Sequence, residues 1–397
     1  MNEMQEFGRH RLAEWPLDPA VTYLNHGTVG VTPRRVLAAQ QAIRDEMARQ
    51  PSGFLLREAS SLVGMPTGRP SRVRTAAAAV ASFVGARGDD LVFVDNATTG
   101  VNAVMRSLAL ASGDEIIVTD HNYGATARVA AFTARDKQAH VRTVRVPYPA
   151  FHPRALVDAV AAAITPRTRI AVLDHITSES ALVFPLADLA AVCRAGGVQI
   201  LVDGAHAPGV LPLDLPSLGV DWYTANLHKW ACSPHSCGFL WAHPSRQADL
   251  HPPVISWGLD LGFTAEFDWV GTRDLSPWLA APEGLAFLRD LGWAAVRRHS
   301  HDLVWRAART LTERWGTPLE IDETSVGFMA TVPLPGTLGR APEDAARLRD
   351  ALLFEDGIEI QVHAGHDRLW ARISVHVYND WDDIEKLGEA VARRAAG

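Results

Sequence analysis

The sequence VQILVDGAHAPG at residues 198–209, followed by YTANLHKW at residues 223–230, decides the fold. The first stretch is an apolar run that ends at Asp203 and continues into a glycine-bearing loop, which is typical of a buried strand and a tight turn. In open α/β sheets, ligands bind at the carboxyl ends of the strands, where Asp203 is expected. Lys229 ends a second apolar segment and can reach the same crevice. We therefore expect an acid and an amine to meet at one edge of a sheet.

An acid and a lysine in one crevice suit pyridoxal phosphate, whose aldehyde forms a Schiff base with a lysine and whose ring nitrogen needs an acidic partner. The ordinary lysine pKa is about 10.4, so a nucleophilic Lys229 has to be desolvated or placed near positive charge. Asp-Gly-Ala-His at 203–206 and His-Lys-Trp at 228–230 resemble the class V aminotransferase group of fold-type I pyridoxal-phosphate enzymes, which includes cysteine desulfurases and isopenicillin N epimerase. The resemblance implies an enzyme with Asp203 and Lys229 as catalytic residues and pyridoxal phosphate as cofactor.

Composition limits the partners of this chain. Of its 397 residues, 47% are hydrophobic and 21% are charged, as expected of a globular enzyme. The formal charge of -7 argues against nucleic acid as a partner, because binding a phosphate backbone needs clustered positive charge. Three cysteines do not suggest a disulfide framework, and no signal peptide or membrane-spanning segment is expected. We expect a cytoplasmic protein with a small amino-acid-type substrate, no membrane partner and no metal.

Apolar runs at residues 91–94, 116–118, 169–173 and 198–202 alternate with helical patterns. This alternation predicts an α/β fold with a mostly parallel sheet between layers of helices. The resemblance makes it the fold of a fold-type I pyridoxal-phosphate-dependent transferase. We expect a large cofactor-binding domain at residues 21–284 and a smaller α+β domain from residues 1–20 and 285–397. Within the smaller domain, we expect one long helix at 285–315 and a strand at 369–379.

Thr98 and Thr99 are candidates for holding the cofactor's phosphate. They follow the apolar run at 91–94 and precede a helix. Hydroxyls and unpaired backbone amides at a helix N-terminus form an anion site, since the helix dipole also favours negative charge there. The same two threonines can equally serve only to cap the helix.

The resemblance assigns a ring-stacking role to the loop after the next strand. Tyr123 would stack on the cofactor and also act in catalysis, with His121 as the competing candidate. Ser178, in a later loop, fits the family's pattern for a residue beside the cofactor. Glu179 and Ala181 depart from that pattern, so the substrate contacts of this loop do not transfer directly.

Further cofactor contacts are implied around the two central motifs. His206 would bond the cofactor's phenolic oxygen, and Asn226 and His228 would hold its phosphate, with Asn226 in place of the family's usual serine. Gly271 and Thr272 resemble a turn that, in the relatives, reaches the cofactor phosphate of the neighbouring subunit. A homodimer with shared active sites is therefore expected.

Three residues are candidates for binding the substrate. Asn25 and His26 belong to a Leu-Asn-His-Gly loop that, in the family, lines the substrate side of the site, although a plain turn is the alternative. Arg372 lies in an Arg-x-Ser stretch that resembles the family's binder of the substrate's α-carboxylate. Bidentate guanidinium geometry suits that role.

The reaction is less constrained than the cofactor. Lys229, once the substrate amine has replaced it, is the natural general base. The stretches 54–58 and 203–209 resemble the isopenicillin N epimerase branch, and an epimerase needs a second acid/base, for which Tyr123 or a loop histidine is a candidate. A carbon-sulfur lyase or an aminotransferase remains an alternative. A persulfide mechanism is not expected, because no cysteine follows Cys237.

A protein of a different class, a non-catalytic sensor that binds pyridoxal phosphate, is also conceivable. Such regulators usually carry a DNA-binding extension. The short arm before Tyr23 has no room for one, which argues against this alternative.

Overall fold

A computed structural model describes residues 7–60 and 70–397; the first six residues of the predicted N-terminal arm lie outside this range. The strands within it are β1 Thr22–Tyr23, β2 Leu91–Val94, β3 Glu115–Thr119, β4 His140–Val144, β5 Thr168–Asp174, β6 Gln199–Asp203, β7 Trp222–Asn226, β8 Gly238–Ala242, β9 Met329–Pro333, β10 Ile358–Glu359, β11 Gln361–Gly365 and β12 Arg368–Ser374.

The main sheet has seven strands in the order β2-β8-β7-β6-β5-β3-β4. Strands β3 to β7 run parallel to their neighbours, whereas β8 runs antiparallel to both β7 and β2. Successive side chains of a strand point to opposite faces of the sheet. In β6, Ile200 and Val202 belong to the hydrophobic core on one face, and Leu201 belongs to the core on the other. Both faces are therefore covered, and the predicted mostly parallel sheet between helices is confirmed.

The described part of the chain has fourteen α-helices. They are α1 His26–Val29, α2 Arg34–Arg49, α3 Pro51–Gly53, α4 Arg72–Phe83, α5 Ala97–Ser107, α6 Gly124–Lys137, α7 Pro153–Ala163, α8 Leu186–Ala195, α9 Phe263–Asp268, α10 Ser276–Leu279, α11 Ala281–Asp290, α12 Trp293–Trp315, α13 Pro342–Phe354 and α14 Trp381–Ala396. Within the described ranges, no helix is long and apolar enough to cross a membrane.

The single long helix predicted at 285–315 is wrong. The chain forms α11 and α12 instead, and it turns between them at Gly292, whose φ is 71°. Side chains rarely adopt that left-handed conformation, which glycine reaches without a steric penalty. The hydrophobic pattern continues through the break, so periodicity alone did not indicate it.

The C-terminal part contains a small antiparallel sheet in the order β11-β12-β9. The strand predicted at 369–379 ends at Ser374, after which the chain leaves the sheet. Strand β1 pairs in parallel with β10, and Asn25 forms a bridge with Ser374. Residues 22–25 thus pair with strands of the C-terminal part, and the domain boundary at residue 21 stays a prediction.

Candidate active site

The carboxylate of Asp203 lies at the carboxyl end of β6 and is buried. Its Oδ2 accepts a hydrogen bond from Thr126 Oγ1 at 2.8 Å, and its Oδ1 accepts one from the Ala205 amide at 3.1 Å. Burial raises the pKa of Asp203, while these two donors and the charge of Lys229 oppose that rise. A cationic ring nitrogen placed here would keep the carboxylate ionised.

Lys229 follows β7, and its Nζ lies 3.1 Å from His206 Nε2. Trp230 Nε1 donates to His206 Nδ1 at 3.4 Å, and an indole N–H can only donate. The proton of a neutral His206 is therefore on Nε2, and the amine of Lys229 must accept it. Burial lowers the pKa of Lys229 to about 7, with a smaller contribution from Arg372, while Asp203 opposes the change. The lysine is thus poised to act as a nucleophile at neutral pH.

The structure does not bring His26 to the cleft, contrary to the prediction of a substrate contact. Its ring is fully buried, with Nε2 donating to the Lys229 carbonyl at 3.0 Å and Nδ1 accepting from the Tyr378 hydroxyl at 2.8 Å. The ring also stacks on His376, with 4.5 Å between centroids. His26 supports the backbone of Lys229 from behind.

Arg372 projects from β12 and is almost fully buried, yet no carboxylate of residues 7–60 or 70–397 lies within ion-pair distance. Its Nη1 donates to the Ser178 carbonyl at 2.7 Å, and its Nη2 donates to Thr28 Oγ1 at 2.6 Å and to Asn25 Oδ1 at 3.4 Å. Asn25 Nδ2 in turn donates a hydrogen bond to Glu359 Oε1 at 2.8 Å. The acceptors of these hydrogen bonds are neutral, and burial lowers the pKa of Arg372 to about 10, while the charge of Glu179 opposes that change.

Lys229 and Arg372 open onto one cleft with a volume of about 590 Å³, whereas Asp203 and His206 are not among the described residues that line it. Of the predicted site residues, Lys229, Arg372, Tyr123 and Ser178 line it. Tyr123 is half-exposed and immediately precedes α6. His121 lines the cleft as well, with its Nδ1 2.7 Å from Ser180 Oγ. Both candidates for the stacking ring are therefore present at the same wall.

The residues predicted to hold phosphate cluster at the N-terminus of α5, outside the lining of the cleft. Asn226 Oδ1 accepts from the Ala97 amide at 2.8 Å, and Asn96 Oδ1 accepts from the Thr99 amide at 3.0 Å. The amide of Thr98, between them, has no side-chain cap among the described residues. The capping function that we considered for the threonine pair is thus performed by Asn96 and Asn226.

Two further predicted contacts lie apart from the cleft. His228 Nδ1 is 2.9 Å from the Cys237 carbonyl, and burial lowers the pKa of His228 to about 4, so its ring is neutral. Gly271 and Thr272 do not line the cleft of their own chain, and Thr272 is exposed. The next residue, Arg273, pairs with Asp95, just ahead of α5.

The sequence analysis missed a set of supporting contacts. Asp174 ends β5 in register with Asp203 on β6 and accepts from Asn122 Nδ2 at 2.6 Å. Asn122 Oδ1 in turn accepts from the Thr119 amide at 2.6 Å, which fixes the loop that carries Tyr123. An aspartate at the end of each of two adjacent strands was visible in the sequence. Nothing in the sequence indicated that Thr126 reaches Asp203.

The model of the family described as Aminotransferase class-V matches residues 32–387. This chain belongs to that family. It is 34% identical to isopenicillin N epimerase of Streptomyces clavuligerus, over 94% of this chain and 95% of the relative. It is 31% identical to a probable chloroplastic L-cysteine desulfhydrase of Arabidopsis thaliana, over 97% of this chain and 84% of that protein. The apo structure of cysteine desulfurase from Thermococcus onnurineus NA1 covers 99% of both chains, with a TM-score of 0.80 and 19% identity, and shares the fold.

As a member of this family, the chain is a pyridoxal-phosphate enzyme of fold-type I. The residues around the cleft fit that cofactor, because a lysine whose pKa is lowered to about 7 lies close enough to the buried carboxylate of Asp203 and to Arg372 for both charges to affect that pKa. The residues expected to bind the cofactor's phosphate fit the cofactor less closely. For the Ala97 amide to bind a phosphate, Asn226 has to release its hydrogen bond to that amide.

Proposed function

We propose that this enzyme removes the α proton of an amino-acid-type substrate and returns it on the opposite face, as an epimerase does. The observation that carries this proposal is the position of the Lys229 amine, which lies 3.1 Å from His206 Nε2 and lines the same cleft as Arg372. The extent of the similarity to isopenicillin N epimerase supports it. Bound pyridoxal phosphate supplies an electron sink for the carbanion that is left when the α proton departs.

Each residue at the site has a separate role in this reaction. Arg372 binds the α-carboxylate, helped by the neutral groups that orient its guanidinium. Asp203, at the end of β6, holds the proton on the cofactor's ring nitrogen, and Thr126 fixes that carboxylate. Lys229 takes the α proton from one face. Tyr123 or His121, both at the cleft, returns a proton from the other.

Cleavage of a carbon-sulfur bond is the second candidate, favoured by the similarity to L-cysteine desulfhydrases. It needs only Lys229 as base and a leaving group on the β carbon. An aminotransferase remains the third. A protein persulfide is not part of any of these, since Cys193, Cys232 and Cys237 are all buried and none lines the cleft.

We also propose a cytoplasmic homodimer in which Gly271 and Thr272 reach the partner's cofactor phosphate. Their position outside the cleft of their own chain supports this assignment. The cysteines support a reducing compartment, because each is a free thiol. The net charge of -7 supports a small-molecule substrate over nucleic acid.

The reaction is tested by incubating the enzyme with candidate amino acids in deuterated water. Deuterium at the α carbon with inverted configuration is the expected result. Release of pyruvate or a thiol identifies the lyase instead, and amination of an added 2-oxo acid identifies the aminotransferase; either outcome without inversion overturns the epimerase proposal.

The chain offers a sharp control, because its lysines are Lys137, Lys229 and Lys386. Borohydride reduction followed by peptide mass spectrometry is expected to find the cofactor on Lys229. Lys229→Ala abolishes exchange at the α carbon, whereas Lys137→Ala, which changes a half-exposed lysine at the end of α6, leaves it intact. Cofactor attached to another lysine would contradict the assignment.

A further inference from the structure

Lys229 and Trp230, two consecutive residues after β7, contact the two nitrogens of one imidazole ring. The Lys229 amine lies 3.1 Å from His206 Nε2, and Trp230 Nε1 lies 3.4 Å from His206 Nδ1. His206 and Trp230 are buried. The three side chains therefore form a series of hydrogen bonds that runs from the indole, through the imidazole, to the amine.

Trp230 determines the direction of these hydrogen bonds. An indole N–H donates and cannot accept, so His206 Nδ1 has to offer its lone pair. Burial is the main cause that lowers the pKa of His206 well below its ordinary value, so the ring is neutral and has a single proton. That proton is on Nε2, where it faces the lone pair of the Lys229 amine.

The position of this proton affects the charge of Lys229. A hydrogen bond made to the charged form of a group favours that form, and one made to the neutral form favours the neutral form. With the proton of His206 on Nε2, only a neutral amine can accept it, whereas an ammonium would set donor against donor. With the proton on Nδ1, Nε2 would accept from the ammonium and favour the cation instead.

Packing holds the indole of Trp230 in place. Its ring centroid lies 4.8 Å from that of His26, and it stacks on His376 with an interplanar angle of 5° and 6.2 Å between centroids. The ring of Phe328 meets it edge-on at 5.5 Å. The N-terminal loop also closes on it, because a Cβ on Gly27 would lie 3.2 Å from Trp230 Cζ2. The N–H is therefore kept pointing at His206.

We propose that Trp230 is a positioning residue for Lys229, whose indole N–H keeps the proton of His206 on Nε2 and thereby favours the neutral amine that attacks a carbonyl. The inference concerns the free lysine and holds whichever reaction follows, so it goes beyond the proposed function.

Other charges act on the same amine. Burial lowers the pKa of Lys229 to about 7, the charge of Arg372 lowers it further, and Asp203 opposes the change. The other titratable groups near the amine are the histidines His26, His206 and His228. Removal of the indole N–H leaves all of these groups in place, so its effect can be measured separately from theirs.

The full-length chain, prepared without cofactor, tests the proposal by the rate at which it attaches pyridoxal phosphate as a function of pH. Trp230→Phe keeps an aromatic ring but lacks the donor, so the proton of His206 is free to move to Nδ1. The midpoint of the pH profile should rise by about one pH unit, which lowers the rate at pH 7 about fivefold. Stopped-flow absorbance should show equal rates for the two proteins at high pH, whereas a packing defect would lower the rate at every pH.

Two further variants separate the N–H from the packing of the ring. Phe328→Leu removes contacts with the indole and keeps its N–H, so it should lower the unfolding temperature and leave the midpoint in place. Benzothienylalanine, incorporated at position 230, has the shape of tryptophan with sulfur in place of the N–H. It should raise the midpoint as Trp230→Phe does, and it tests the proposal even where the phenylalanine variant does not fold.

A double-mutant cycle tests the route through His206. In the His206→Leu background no imidazole contacts the amine, so adding Trp230→Phe should not move the midpoint further. An unchanged midpoint with benzothienylalanine overturns the proposal, as does an equal rise with and without His206 or the same rise in Phe328→Leu. The proposed function fails independently, because these measurements contain no amino-acid substrate.

Discussion

Arg372, the proposed binder of the substrate's α-carboxylate, also affects Lys229. Burial is the larger cause of the lowered pKa of Lys229, and the positive charge of Arg372 adds to it by disfavouring a second cation. Only the neutral amine attacks the cofactor's aldehyde. The apoprotein should therefore attach pyridoxal phosphate at a rate that rises as the pH passes through about 7.

Arg372→Gln removes this charge, which raises the pKa of Lys229 and lowers the neutral fraction at pH 7. We expect attachment at that pH to slow severalfold and the midpoint of the pH profile to move upward, as measured by stopped-flow absorbance. Arg368→Gln makes the same charge change at the far end of β12 and should leave the midpoint in place. Coincident profiles for wild type and Arg372→Gln would contradict the coupling.

Asn25 and His26 show what a local sequence pattern can predict and what it cannot. Both were expected at the substrate side of the site, and the Asn25 side chain does contact Arg372, at 3.4 Å. His26, the next residue, is turned into the core and supports the Lys229 carbonyl. The direction of each side chain depends on the turn at α1 and on partners more than 200 residues away, which no local pattern contains.

The loops at the strand ends were the most predictable elements. Apolar runs flanked by aspartate marked the ends of β5 and β6, and the α/β alternation implied that these ends meet at one edge of the sheet. The side of the cleft formed by β11 and β12 was not predictable in this way. The register between these two strands determines which of their side chains lie side by side, and Tyr148, which contacts Trp370, comes from more than 200 residues earlier in the chain.

Close backbone approach at α1 makes Gly30 a sensitive position. Its φ is 75°, and a Cβ there would lie 1.9 Å from the His228 carbonyl and 2.7 Å from Lys229 Cα. Gly30→Ala therefore combines backbone strain with a clash that no flexible side chain can relieve. We expect a loss of about 3–5 kcal/mol in the free energy of unfolding, together with weaker cofactor retention.

Gly113→Ala is the matched control. Gly113 has a φ of 85°, but nothing lies within 4 Å of the added Cβ. Gly113→Ala should lower the free energy of unfolding by about 1–2 kcal/mol, from backbone strain alone, and leave the cofactor in place. Denaturant unfolding and the absorbance of the bound cofactor measure both effects. Equal losses in the two variants would show that the approach to His228 is unimportant.

At the scale of the whole molecule, an exposed apolar segment supports the proposed dimer. The loop between β8 and α9 exposes Val254, Ile255, Trp257, Leu259 and Leu261, with Trp257 81% exposed. Contiguous apolar surface of this kind marks interaction sites in proteins. The segment precedes the turn at Gly271 and Thr272, which is expected to reach the partner.

Trp257→Asp places a charge in this surface and should convert the proposed dimer into monomers in sedimentation experiments. Cofactor retention should fall at the same time, because each site would lose the partner's phosphate contacts. Phe354→Asp is the control, since Phe354 is 80% exposed at the end of α13, and it should leave the dimer intact. A Trp257→Asp variant that sediments like the wild type would remove this segment from the interface.

The arginine of the smaller domain is fastened across the molecule before any substrate arrives. Arg372 is bonded to Ser178, in the loop after β5, and to Asn25 and Thr28, in the N-terminal loop. The rotamer freedom of an arginine, worth ~2 kcal/mol, is therefore lost when the chain folds and not when the ligand binds. The proposed carboxylate site is thus already formed before a ligand binds, and β12 cannot move away from Ser178 and Thr28 without breaking these hydrogen bonds.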